Sequence, residues 1–106
     1  MDVQITIRRG RAGESFRALA EEKARKLGKY DPRIIRVELL FDEDGGTVRA
    51  EARAIVPSLP PLVARAEADT RRTALDGVIR KASRRLRDER AKRVAHQAPP
   101  TTGVIG

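Results

Sequence analysis

From Val48 to Ala54 every second residue is small and apolar, namely Val48, Ala50, Ala52 and Ala54, and the residues between them are Arg49, Glu51 and Arg53. A period of two with one apolar side is the pattern of a β-strand that buries a single face. The size of these residues adds a second constraint, because alanines let a covering element come close where leucine or phenylalanine would hold it away. A helix is therefore expected to lie tightly on this strand, with an apolar stripe of its own. Residues 70–94 supply it. Leu75, Val78, Ile79, Ala82 and Leu86 fall within an arc of roughly 100° at helical spacing. Opposite them lie Arg80, Lys81, Arg84, Arg85 and Arg87.

Thr70 is the expected N-cap of this helix, which at about 1.5 Å per residue would run roughly 36 Å to Val94 and overhang the sheet. It holds Arg71, Arg72, Arg80, Lys81, Arg84, Arg85, Arg87, Arg90, Lys92 and Arg93 against Asp76, Asp88 and Glu89 only, a surplus of seven positive charges. The formal net charge of all 106 residues is +8, so the positive field is concentrated on one element. Such a rod is built to meet a polyanion.

The remaining segments fall into the same two periods. Val3, Ile5 and Ile7 alternate with Gln4, Thr6 and Arg8 as a first strand. Phe16, Leu19, Ala20, Ala24 and Leu27 follow at helical spacing, starting near Glu14 or Ser15 and stopping at Gly28 as the expected C-cap. After a turn at Asp31-Pro32, Ile35, Val37, Leu39 and Phe41 form the inward set of a second strand. Asp44-Gly45-Gly46 is a hairpin signal, leading into the strand of alanines. Leu62, Ala64 and Ala66 alternate with Val63, Arg65 and Glu67 as a short fourth strand, after a loop holding Pro57, Pro60 and Pro61. The order is β-α-β-β-β-α. Residues 1–94 are expected to form one domain and 95–106, which include Pro99 and Pro100 and have no periodicity, a flexible tail.

Several function classes are excluded by what the composition lacks. No stretch approaches the roughly 20 apolar residues of a membrane span, and the first apolar run alternates instead of forming the continuous block of a signal peptide. There is no cysteine, so nothing points to an oxidising compartment and a cytoplasmic location is expected. His96 is the only histidine, with no second ligand at metal spacing; neither metal nor other cofactor is expected. Asp42, Glu43 and Asp44 read as a solvated turn, Ser15, Ser58 and Ser83 lack a base, and Gly45-Gly46 lacks the helix start of a phosphate loop. The chain is not expected to be an enzyme or to take a small-molecule substrate. Aromatic content is 3%, which favours recognition of phosphates and duplex shape over stacking on splayed bases. Tyr30 reads as a core aromatic, and Lys23 sits at the edge of the first helix's apolar arc, where its stem can snorkel toward a groove between the helices.

Three segments carry a resemblance to a known family: Glu22-Lys23-Ala24-Arg25-Lys26-Leu27-Gly28-Lys29-Tyr30, then Ala66-Glu67-Ala68-Asp69-Thr70 leading into Ala74-Leu75-Asp76, and Lys81-Ala82-Ser83-Arg84-Arg85-Leu86-Arg87. In this order and spacing they resemble the ribosome hibernation promoting factors, also described as ribosome-associated translation inhibitors, over residues 2–93. The resemblance implies an α+β domain with two helices packed on one face of a four-stranded sheet. It implies a factor that sits in the decoding channel of the small ribosomal subunit in 70S ribosomes of idle, stressed cells. There it would contact 16S rRNA and block messenger and transfer RNA. Carried over by position, the RNA-binding residues are Lys23, Lys26 and Lys29 on helix one and Lys81, Arg84 and Arg87 on helix two. Arg72 stands where the family usually has Tyr, Thr70 where it has Asp, and Asp88 where Lys is common, which shifts the distal basic track toward Arg85 and Arg90. Longer members add a C-terminal dimerisation domain that this chain does not show, so it is expected not to pair ribosomes by itself.

Other readings share the basic helix. A generic double-stranded RNA-binding module without ribosome specificity is the nearest. An acidic protein partner is another, and an anionic membrane surface a third, although the apolar stripe that a membrane would need is committed to the sheet.

Overall fold

The two periods in the sequence become the two layers of the fold. The computed structural model describes residues 1–97 as β1 (Asp2–Arg8), α1 (Glu14–Arg25), a 3-10 turn (Lys26–Lys29), β2 (Arg36–Asp44), β3 (Thr47–Ile55), β4 (Leu62–Ala68) and α2 (Arg71–Gln97). The strands form one sheet in the order β1-β2-β3-β4. The helical connection through α1 makes β1 parallel to β2, and the short connections make the other pairs antiparallel. Helix α1 packs on β1 and β2, and α2 on β3 and β4. This is the expected α+β architecture.

Alternation holds in the strands. Val37, Leu39 and Phe41 on β2 and Val48, Ala50, Ala52 and Ala54 on β3 are all buried. Phe16 of α1 meets Phe41 edge-on, with ring centroids 5.2 Å apart at 77°, an arrangement that aligns the positive edge of one ring with the negative face of the other. On α2, Leu75, Val78, Ala82 and Leu86 are buried as expected and Ile79 is half-buried against the core. The close approach inferred from the alanines is real. A Cβ on Gly77 of α2 would lie 3.3 Å from the Cβ of Ala66 on β4, so helix and strand are already at contact distance.

Turn chemistry sets the ends of the elements. Gly45 and Gly46 have φ of 58° and 84° between the paired Asp44 and Thr47, the two left-handed positions of a two-residue type I′ hairpin. Thr70 caps α2, its Oγ1 accepting from the Thr73 N–H at 3.1 Å. Asp31, buried at 1% exposure, accepts from the Arg33 N–H at 3.0 Å, and the Ile34 N–H bonds back to the Asp31 carbonyl, which closes the turn at Pro32. The sheet's edges carry helix arginines. Arg17 donates to the Ile5 carbonyl and Arg25 to that of Met1 on the β1 side, and Arg85 donates to the Val63 carbonyl on β4 at 2.7 Å. Occupied edge carbonyls discourage edge-to-edge pairing with another chain.

Four expectations are corrected. Gly28 is not a left-handed C-cap: the helix tightens after Arg25 into the 3-10 turn, where bonds such as that from the Tyr30 N–H to the Leu27 carbonyl occupy the last carbonyls instead. Ile35 does not point inward and is 54% exposed, while Ile34 is buried, because the Asp31–Ile34 turn precedes the strand and alternation begins only at Arg36. Helix α2 continues to Gln97, past Val94, so residues 95–97 of the expected tail are helical and 98–106 lie outside the described residues. The carboxylates Asp42, Glu43 and Asp44 are not a merely solvated turn. Asp42 takes a bidentate grip from Arg9 at 2.8 and 2.7 Å, Asp44 pairs with Arg9 at 3.2 Å, and Glu43 pairs with Arg71 at the start of α2.

The hydrogen bond from Arg9, ahead of the Coulombic attraction, holds the Asp42 carboxyl below the usual carboxylate range. A carboxylate with a depressed folded-state pKa contributes stability at neutral pH that is lost as pH falls through that lowered value. Stability of the wild-type chain should therefore drop more than that of Asp42→Asn as pH falls below about 4, the ordinary aspartate range. Thermal unfolding curves should converge in acid and separate at neutral pH. At Gly77, Ala should be near neutral, since about 1 kcal/mol of helix propensity opposes the tight contact with Ala66. Gly77→Leu should cost about 1–3 kcal/mol by overpacking, measured by urea unfolding.

Candidate nucleic-acid interface

With its apolar stripe held on the sheet, α2 turns its basic residues outward. Arg80, Lys81, Arg84, Arg85, Arg87 and Arg90 are all exposed. Among the described residues no carboxylate lies within ion-pairing distance of any of them. Two of the three acids of α2 are engaged by other cations, Asp76 by Lys23 at 3.4 Å and by Arg72 at 3.4 Å and Glu89 by Lys92 at 3.6 Å, while the exposed Asp88 forms no ion pair among the described residues. Arg71 is withdrawn as well, pairing with Glu43 and lying 5.4 Å over the Phe16 ring. Unneutralised charge is thus gathered in the middle and distal parts of the helix.

Helix α1 behaves differently because it carries its own counter-charges. Arg25 pairs with Glu21 at 2.9 Å and Lys26 with Glu22 at 3.5 Å, each one turn apart. Exposed pairs of this kind contribute little to stability, yet they lower the net positive charge that this face presents. Lys23 reaches the groove between the helices as expected, and there it finds Asp76.

The eight candidate residues do not form one continuous track. Lys23, Lys26 and Lys29 line a groove with Leu27, Tyr30, Ile79 and Ser83, and two arginines of α2 contact Tyr30. Arg87 lies 5.6 Å over the Tyr30 ring, and Arg90 donates to the Tyr30 carbonyl at 3.1 Å. The Ser83 hydroxyl is spent on the Ile79 carbonyl at 2.8 Å. Lys81 and Arg85 face the other way. Lys81 lines a shallow cavity beside Arg65, Ala66 and Glu67 of β4, and Arg85 is tied to the β4 edge. Arg84 lies on the crest between the two groups, and so does Arg80, which was not among the expected contacts although its place in the basic arc would have marked it.

Chemically the surface offers positive charge and multiple N–H donors. Among the described residues no group of three or more His, Cys, Asp or Glu is placed to hold a metal ion, and no helix is long and apolar enough to cross a membrane. Guanidinium forks match phosphate oxygens two at a time, so the arrangement suits a nucleic-acid backbone.

Comparison with known proteins assigns the chain to a family. A ribosomal subunit interface protein from Coxiella burnetii superposes with a TM-score of 0.78 at 21% identity, over 86% of this chain and 99% of that one. The N-terminal domain of Protein Y from Thermus thermophilus superposes with a TM-score of 0.74 at 18% identity, over 84% of this chain and 99% of that one. At these identities the likeness is one of fold. No curated protein matches the chain by sequence. The model of one family, however, matches residues 3–94, from the first strand into the last turns of α2, and the chain belongs to that family, the sigma 54 modulation protein / S30EA ribosomal proteins.

Proposed function

We propose that this protein is a ribosome hibernation factor that binds the small subunit in its decoding channel, meets 16S rRNA through its basic helix and keeps messenger and transfer RNA out. The observation that carries this reading is the row Arg80, Lys81, Arg84, Arg85, Arg87 and Arg90, exposed on a 27-residue helix in a member of a ribosomal protein family. The names of the two structural relatives, a subunit interface protein and Protein Y, point the same way.

The mechanism is one of occupancy and charge. Residues 91–97 of α2 extend past Arg90, which still bonds to Tyr30, by roughly 10 Å at about 1.5 Å per residue. That overhang lets the helix run along a phosphate backbone beyond the edge of the sheet. Each phosphate neutralised releases condensed counterions, which drives association without any reading of base sequence. A folded body held there excludes competing RNA by volume, so no bond need be made or broken.

Cosedimentation of the purified protein with small subunits and 70S particles is the expected outcome; association with large subunits alone would reject the proposal. Messenger and initiator transfer RNA should displace the protein, whereas displacement by bulk duplex RNA would favour the generic double-stranded RNA binder. With about five phosphate contacts the logarithmic salt slope should be roughly −3 to −5, extending the value of about −0.9 per phosphate for duplex DNA. Arg84→Ala and Arg87→Ala should each cost on the order of 1–3 kcal/mol of ribosome affinity. Lys81→Ala/Arg84→Ala/Arg87→Ala should stay folded, because these residues lie outside the buried stripe, and should inhibit translation weakly. Arg25→Ala, which loses bonds to Glu21 and Met1, should change stability and leave affinity nearly intact. A folded triple variant with full inhibition would remove α2 from the interface.

A further inference from the structure

Three cations from two elements gather on one residue. The Lys29 Nζ lies 5.2 Å from the centre of the Tyr30 ring, the Arg87 guanidinium 5.6 Å from the same centre, and Arg90 donates to the Tyr30 carbonyl at 3.1 Å. Among the described residues no carboxylate pairs with any of the three. Like charges brought together repel, and here the negative face of an aromatic ring takes the place that a carboxylate would otherwise fill. The difference matters for binding. A carboxylate would consume the donors of these cations and lower their net charge, whereas a ring face attracts the cation and leaves the positive charge uncancelled, with N–H groups free for an anion.

We infer that Tyr30 is a positioning residue for RNA binding: it holds Lys29 and Arg87 at the mouth of the inter-helix groove, beside Arg90, as a cradle for a backbone phosphate. Its place makes this possible. Tyr30 directly follows the 3-10 turn and is partly buried against the core, so the ring is anchored while the cations around it are exposed. The tightening of the chain after Arg25 thereby acquires a purpose, bringing Lys29 and Tyr30 under the distal part of α2. This inference rests on the ribosome-binding reading but fails separately from it.

The test compares Tyr30→Phe and Tyr30→Leu for affinity to purified small subunits across a salt series, with thermal unfolding as a control. Tyr30→Phe keeps the ring face and should retain wild-type affinity and salt slope. Tyr30→Leu keeps apolar bulk but loses the ring, and should bind about fivefold to tenfold more weakly with a slope shallower by about one. A merely structural role would lower the unfolding temperature without altering the slope. A folded Tyr30→Leu with the wild-type slope, or a Tyr30→Phe as impaired as Tyr30→Leu, would overturn the inference. Should Tyr30→Leu fail to fold, Lys29→Gln and Arg87→Gln replace it, and unchanged slopes in both would be equally fatal. If the wild-type chain does not bind small subunits, the functional reading falls, and the cradle is scored with the same variants on a short RNA duplex.

Discussion

The close approach of α2 to β3 and β4 is the constraint on which the other features depend. It is possible because the facing residues are Ala50, Ala52, Ala54, Ala64 and Ala66, and because α2 places Gly77 against Ala66. A helix packed this tightly has little freedom to rotate about its axis, since turning it would lift Leu75, Val78, Ala82 and Leu86 out of the core and drive charged side chains into it. Rotation fixed, the direction of every other residue on α2 follows. Asp76, Arg87 and Arg90 face α1 and the 3-10 turn, Lys81 and Arg85 face the β4 edge, and Arg80 and Arg84 stand on the crest. The same closeness brings Arg85 within 2.7 Å of the Val63 carbonyl, where it covers the strand edge.

Concentrating positive charge on one helix is unfavourable by itself, because like charges one turn apart repel by a few tenths of a kcal/mol per pair. The fold tolerates this by distributing its acids elsewhere. Asp42 and Asp44 hold Arg9, Glu43 holds Arg71, and Glu51 and Glu67 serve Arg53, Arg65 and Arg49 across the open face of the sheet. Those pairs leave Arg80, Lys81, Arg84, Arg85, Arg87 and Arg90 of α2 without a carboxylate partner among the described residues, and a polyanion would relieve the repulsion between them. Glu21 and Glu22 of α1 hold Arg25 and Lys26, and Lys23 holds Asp76, so the two helices present unequal positive fields. Past the end of α1, Lys29 and Arg87 both lie over the Tyr30 ring with no carboxylate partner among the described residues.

Much of this was present in the amino-acid sequence alone. Strand alternation at Val3, Ile5 and Ile7 or at Val48 to Ala54, the amphipathic stripe of Leu75 to Leu86, the Thr70 cap and the Gly45-Gly46 hairpin are consequences of local periodicity and of backbone conformations open to few residue types. Those signals sufficed for the element order and for the separation of core from charge. Local signals failed where two neighbouring choices were both locally acceptable. Ile34 and Ile35 are equally apolar, and only the turn at Asp31 selects which is buried. Gly28 suits a left-handed cap, but the chain continues into a 3-10 turn. Tertiary structure alone decided how the eight candidate cations are divided. Lys23 finds Asp76, Arg87 and Arg90 find Tyr30, and Arg85 finds Val63 through contacts between residues 22 to 60 positions apart. Such contacts depend on helix rotation, strand register and the distance at which helix and sheet come to rest, and no short-range pattern encodes any of the three.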